Sequence, residues 1–220
     1  MKPSGSFKTL PFLARYIIVL FAATGFAMAA FAIRSQSVTN PGRLIFLLLV
    51  AALTARAKTK FYQQATISFL TSVVMIAVIS EGLAVSILVA VCGVTIQTVL
   101  PSRKVAFHRL IFNLGMISLT VTAAWWTHHV FTTNAQEFSA EVVATVLASS
   151  VYFVVNSISV ALIVAATQIA SVSEVWTVWT KHLIRSAPSF VSAGLLALGL
   201  VGLLISGSLP YKLLSSWSLH

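Results

Sequence analysis

Apolar residues run along this chain in seven long blocks, separated by short polar links. A helix rises 1.5 Å per residue, so about 20 apolar residues are needed to cross the roughly 30 Å hydrocarbon core of a bilayer. The blocks predict helices at about 11–33, 42–55, 65–80, 82–100, 105–127, 142–170 and 187–207. The second and third are shorter than a crossing requires. Between them, Thr66, Ile67, Ser68 and Phe69 alternate polar and apolar, which is a strand period. Non-helical backbone at membrane depth is tolerated only where protein or water covers it. Two expectations stay open here: a lined interior with Tyr62, Gln63 and Gln64 on its inner side, or a plain inside loop. A further segment, "SVSEVWTVWTKHLIR" (171–185), places Trp176, Trp179 and Leu183 on one face behind a capping-box spacing of Ser171 and Glu174. It predicts an amphipathic helix lying on the membrane plane, serving as a connector or as a dock for a partner. The expected fold is an all-α integral membrane bundle, one domain over residues 1–220, with about seven transmembrane helices and a range of six to eight.

Composition sharpens this picture. Hydrophobic residues make up 58% and charged residues 8% of the 220. A soluble domain covers its surface with roughly 25% charged residues, so lipid is the expected solvent. The formal net charge is +10, but the cations sit between apolar blocks and not on an aromatic-laced patch, which argues against nucleic acid. With the N-terminus on one side, that side receives Lys2, Lys8, Arg15, Arg56, Lys58, Lys60, Arg103, Lys104, Arg109, Lys181 and Arg185. The other side receives Arg34, Arg43 and Lys212. Cations mark cytoplasmic loops, so the N-terminus is expected inside and the C-terminus outside. Trp125 and Trp126 then form an outer aromatic belt. Residues 1–32 also carry a signal-peptide outline, with "AMA" and "AFA" near its end; a retained first span is the expectation, cleavage the alternative.

Polar residues inside the blocks are the candidate chemistry. Asn156 shares a helix face with Ser149, Tyr152, Ser159 and Thr167. Asn113 follows Arg109 by one turn, with Thr120 further along, and the fourth block carries Ser86, Ala90, Gly93 and Gln97 on one face. An unpaired amide in hydrocarbon costs several kcal/mol, so these faces must meet protein, water or ligand. The ligand-binding expectation names Asn113, Asn156, Tyr152, Gln97, Arg109 and Tyr62. The competing one is interhelical hydrogen bonding, worth roughly 0.6 kcal/mol per bond, with Arg109 snorkelling to the inner interface. Small residues at Ala23, Gly25, Ala27, Ala29, Gly199, Gly202 and Ser206 are candidates for close helix contact.

The signs of catalysis are lacking in the sequence. No nucleophile elbow, phosphate loop or cofactor motif occurs. Cys92 lies in an apolar block and reads as a small hydrophobe. Glu81 is a weak candidate for proton coupling between two spans. His128 and His129, with Glu137 and Glu141 nearby, could ligate zinc, but adjacent histidines point apart on a helix and an interfacial loop is the expectation. Neither enzyme activity, a metal nor a cofactor is expected.

Four segments carry a family resemblance: "RLIFLLLVAALTAR" with its extended link, "KVAFHRLIFNLG", "VYFVVNSISVALIVAA" and "SAPSFVSAGLLALGLVGLL". They resemble, over roughly residues 40–205, the N-terminal multi-pass membrane regions of bacterial HD-GYP and GGDEF signalling proteins. Asn113 and the run Tyr152-Phe153-Val154-Val155-Asn156 match an Asn in the fifth span and a Tyr-Phe-x-x-Asn run in the sixth of that family. The resemblance implies a signalling input or sensor domain of the bacterial cytoplasmic (inner) membrane. Members usually continue into a cytoplasmic output domain, whereas this chain ends at "LPYKLLSSWSLH". The expectation is therefore an input module that takes an unknown small ligand and works alone or with a separate output protein. In layout alone the chain is also similar to the substrate-binding membrane subunits of vitamin transporters, whose energising partner is a separate ATPase. A structural or assembly role is the third expectation.

Overall fold

The computed structural model describes residues 7–55, 58–61, 65–100, 106–133, 138–168 and 172–205. After a 3-10 turn at Phe7–Thr9 the helices are α1 (Phe12–Ser35), α2 (Pro41–Thr54), α3 (Phe69–Ser80), α4 (Leu83–Val99), α5 (Phe107–Thr132), α6 (Phe138–Gln168) and α7 (Val172–Ile205). Between α2 and α3, strands β1 (Lys58–Phe61) and β2 (Ala65–Ser68) pair antiparallel, with Lys58 opposite Ser68 and Phe61 opposite Ala65. The alternating Thr66–Ser68 stretch is thus strand, and α3 keeps only 12 residues, about 18 Å of rise.

Local chemistry explains the boundaries. Asn40 accepts the amide of Arg43 at 3.0 Å and Pro41 opens α2, an N-cap followed by the residue whose missing N–H costs nothing there. Gly82 precedes α4 and has no side chain to cap it. Gln36, just beyond α1, supplies the acceptor instead: its Oε1 takes the amide of Ala84 at 3.1 Å. The segment expected as a separate interfacial helix joins the seventh apolar block in one helix, α7, of 34 residues. Pro188 removes one amide donor, yet α7 continues through it and packs on α6 and α3. Helix α5 likewise runs past its predicted end near 127 to Thr132.

Helices consecutive along the chain alternate in direction. Phe21 meets Phe112 and Gly25 meets Gly115, so α1 and α5 run parallel. Arg43 meets Glu81 and Leu48 meets Cys92, so α2 and α4 run parallel. Leu70 against Gly93, His128 against Glu141, and Phe153 with Ser149 against Phe190 and Gly194 make α3/α4, α5/α6 and α6/α7 antiparallel. One end of the bundle, the near end, gathers the starts of α1, α3, α5 and α7; the far end gathers those of α2, α4 and α6.

Three helical segments, Phe12–Ser35, Phe107–Thr132 and Ser139–Thr167, are long and apolar enough to cross a membrane. Apolar segments at Pro41–Thr54, Phe69–Ser80, Leu83–Val99 and Phe190–Leu203 are shorter. The core forms around these short pieces. Helix α3 buries Val73, Val74, Met75, Ala77 and Val78 in one cluster with Ile87, Val89 and Ala90 of α4, Val121 of α5 and Ala197 of α7. Helix α1 buries a narrow face of Ala14, Ile18, Ala22, Gly25 and Ala32, and exposes Phe12, Tyr16, Val19, Phe31 and Ile33. Apolar side chains that large on the outside are what lipid contact demands.

Small residues decide how closely helices approach. A β-carbon on Gly25 would overlap the backbone of Gly115, one on Gly93 would overlap Leu70, and one on Gly194 would overlap the Ser149 hydroxyl. Ala29 packs on the core, whereas Ala23 and Ala27 face outward. Gly199 and Gly202 have open space where a β-carbon would stand, so the packing glycine of α7 is Gly194; Ser206 lies outside the described residues.

Candidate functional site

A polar line on α6 is the principal candidate site. Glu141, Thr145, Ser149, Tyr152, Asn156 and Ser159 follow one another at spacings of 4, 4, 3, 4 and 3, the period of a single helix face. Thr145, Ser149, Tyr152 and Ser159 are buried, as is Ser157 beside them. Buried hydroxyls in helices commonly donate to the carbonyl one turn earlier. Ser118, Thr120, Thr122 and Ser150 do so at 2.7–2.9 Å, and so does Ser159, onto Val155 at 2.7 Å. Thr145, Ser149 and Ser157 do not: their oxygens are enclosed without a hydrogen-bond partner, and Ser72 of α3 behaves likewise. The carboxamide of Asn156, half-buried, also lacks a partner among the described residues. Such groups are rare in folded proteins and each calls for an explanation.

The line has a definite neighbourhood. At its far end the Nε2 of His128, on a buried side chain of α5, lies 3.2 Å from the Oε1 of Glu141. Midway, Ser149 presses on Gly194 of α7, and the rings of Tyr152 and Phe153 pack against Phe190 with centroids 6.0 and 4.7 Å away. The fold therefore buries the polar face of α6 partly against α5 and partly against α7.

The six residues expected to bind ligand divide. Asn113 donates through Nδ2 to Thr98 Oγ1 at 3.1 Å, an interhelical bond between α5 and α4. Gln97, next to Thr98, is half-buried and also has an interaction partner. Tyr152 belongs to the main apolar core. Asn156 lies one turn beyond it. Arg109 is exposed at the near end of α5, outside the interior it was expected to line. Arg109 lies one turn before Asn113 on α5, and its first-turn position leaves it room to reach out. Tyr62 lies outside the described residues.

The histidines sit in the last turns of α5, not in a loop as expected, because that helix continues beyond the tryptophans. They do point apart. His128 turns inward to Glu141, while His129 is exposed and stacks on Trp125 at 4.8 Å. Among the described residues no three His, Cys, Asp or Glu side chains are placed to share a metal ion. Glu137 lies outside them.

Two far-end contacts went unforeseen. Arg43 pairs with Glu81 at 3.3 Å, and Gln36 caps α4. The first has a signal, since the order of the apolar blocks puts Arg43 and the Glu81 link at the same end. The second had none, because a glutamine 48 residues away carries no mark of its target. Burial pushes the Glu81 carboxyl above its ordinary value, and the Arg43 guanidinium opposes that in part.

Compared with protein-family profiles, curated proteins and solved structures, the chain matches none of them.

Proposed function

We propose that this chain is a non-catalytic input module of the bacterial cytoplasmic membrane, crossing it seven times with the N-terminus inside. It takes a small ligand along α6 and passes its state to a separate output protein. The observation that carries this reading is the set of buried, unpartnered oxygens of Thr145 and Ser149 on that line and Ser157 beside it, together with the Asn156 carboxamide, which has no partner among the described residues. A purely structural bundle gains by closing such bonds, as Asn113 and Thr98 do. Polar groups left without partners inside an apolar bundle are suited to a ligand's hydrogen bonds.

Seven crossings are supported by the alternating directions of the helices along the chain. The inside N-terminus is supported by charge: Lys8, Arg15, Lys58, Lys60, Arg109, Lys181 and Arg185 belong to the near end by chain position, while Arg34 and Arg43 belong to the far end. Short α2 and α3 are accommodated because α3 is enclosed by protein.

A route for the signal follows from α7. This helix meets the polar line at Ser149–Gly194 and runs without a break to the near end, where the 172–185 half begins. Rigid helices transmit small shifts between packed arrangements. The resemblance to the membrane regions of HD-GYP and GGDEF proteins points to the same use.

The test is mass spectrometry of proteins and small molecules that copurify with the tagged chain in mild detergent, beside an Asn156→Leu variant. A cyclase, phosphodiesterase or kinase, with a small molecule lost in the variant, is the expected result. Recovery of ATPase subunits, with uptake of labelled substrate into cells, would make the chain a transporter subunit. A variant that keeps every bound molecule would remove the ligand site.

A further inference from the structure

Arg15 has no counter-charge among the described residues. It is the fourth residue of α1 and half-buried, and its Nε is enclosed with no hydrogen-bond partner. The ion pairs among the described residues use Arg43 and His128 instead. Buried charges are normally paired, because desolvating one alone is costly.

A second guanidinium stands in the same corner. Arg109 is the third residue of α5 and exposed. Because α1 and α5 run parallel and touch at Gly25 and Gly115, their first turns lie side by side; Phe7 and His108 bring their rings to 6.0 Å there. Neither helix has a side-chain cap, and neither has an acid in its first turn. Glu81 and Glu141 are both at the far end; Glu174, in the first turn of α7, belongs to the near end by chain position, on a helix that packs on α6 and α3. Unbonded amides at two helix starts add to the positive potential of the two arginines.

The surroundings choose between anions. Phe12, Leu13, Tyr16 and Phe107, in the opening turns of the two helices that carry these arginines, stand 77%, 58%, 57% and 73% exposed. A free phosphate ion gains nothing from such a surface, whereas acyl chains cover it. Guanidinium forks bind phosphate oxygens strongly, and basic pockets between membrane helices on the cytoplasmic side suit lipid headgroups. We infer that Arg15 and Arg109 hold the phosphate of an anionic phospholipid at the near end of the α1–α5 seam, its chains lying over Phe12, Leu13, Tyr16 and Phe107.

The test uses the full chain in nanodiscs of phosphatidylcholine with graded phosphatidylglycerol, and reads retained lipid by native mass spectrometry. The wild-type protein should retain phosphatidylglycerol over phosphatidylcholine by about tenfold, a free-energy difference of ordinary size for two charged contacts. Arg109→Gln should reduce that preference, and Arg15→Gln with Arg109→Gln should bring it to parity. Arg34→Gln, at the far end, should leave it unchanged. If the double variant fails to fold, the exposed Arg109→Gln decides alone. Parity in the wild type, or full preference in Arg109→Gln, overturns the site. Inorganic phosphate and soluble glycerophosphoglycerol should not displace the lipid; displacement by inorganic phosphate would reassign the corner to a free anion and overturn the lipid assignment.

Discussion

Gly25 of α1 and Gly115 of α5 touch backbone to backbone, and a β-carbon on either would overlap main-chain atoms of the opposite helix. Backbone cannot swing aside as a side chain can. Gly25→Ala and Gly115→Ala should therefore each destabilise the bundle by about 1–3 kcal/mol, the range for overpacking. Gly199→Ala and Gly202→Ala, which meet open space, should change stability by no more than about 0.5 kcal/mol. Unfolding of the purified variants in mixed micelles measures both. Equal effects at all four positions would contradict the α1–α5 crossing.

Ser149 and Gly194 make a second close contact, this time between a hydroxyl and a missing side chain. Gly194→Ala should destabilise because its methyl enters the space of the hydroxyl. Ser149→Ala removes a buried oxygen that has no partner, so it should cost little. The double variant should recover part of the loss, with a coupling of about 1 kcal/mol between neighbours in contact. Additive effects in the cycle would mean that the two positions do not touch.

The two asparagines should separate in the same assay. Asn113→Leu breaks the bond to Thr98 and should cost about 0.6 kcal/mol, the average for such bonds between membrane helices. Asn156→Leu breaks no bond among the described residues and should stay within about 0.5 kcal/mol. If Asn156→Leu proves the more damaging to folding, Asn156 is structural and the ligand reading of α6 loses its support.

Glu81 should give the stability a pH dependence of definite sign. Its carboxyl has an ordinary value of 4.5, and burial raises it in the folded chain, with Arg43 pulling the other way. The folded state then holds the proton to higher pH than the unfolded state does. Stability from this group is full below the ordinary value and is lost as pH rises through the raised one. Glu81→Gln should flatten that part of the profile. Arg43→Gln should deepen the loss and move it to higher pH, since the attraction opposing the shift is gone. Unfolding midpoints measured upward from acid pH check this; a loss on acidification in the same window would contradict it.

Legibility differed between local and long-range features. The helices at α1, α2, α4 and α5 lie within a few residues of their predicted starts, because each start follows a polar link or a proline. The strand at Ala65–Ser68 was visible in the alternation of Thr66, Ile67 and Ser68. The continuity of α7 was not, since Trp176, Lys181 and Arg185 look interfacial while Pro188 looks like a boundary. Packing against α3 and α6 overrode both signals. In the candidate site, the face shared by Ser149, Tyr152, Asn156 and Ser159 was legible from spacing. Its extension to Thr145 and Glu141 followed the same period but reached the apparent end of the span.

The sequence by itself determined what repeats along one axis: which stretches are apolar, which helix face is polar, and which end collects the cations. Those follow from a 1.5 Å rise, a 3.6-residue turn and the cost of charge in lipid. The tertiary structure alone decided what crosses between helices. It selected Gly25, Gly115 and Gly194 for close contact and left Gly199 and Gly202 open. It gave Asn113 a partner in Thr98 while leaving Asn156 without one among the described residues, and it carried Gln36 to the start of α4. The physical reason is that a side chain's partner depends on the rotation and offset of two packed helices, and neither quantity is written in the period of either helix.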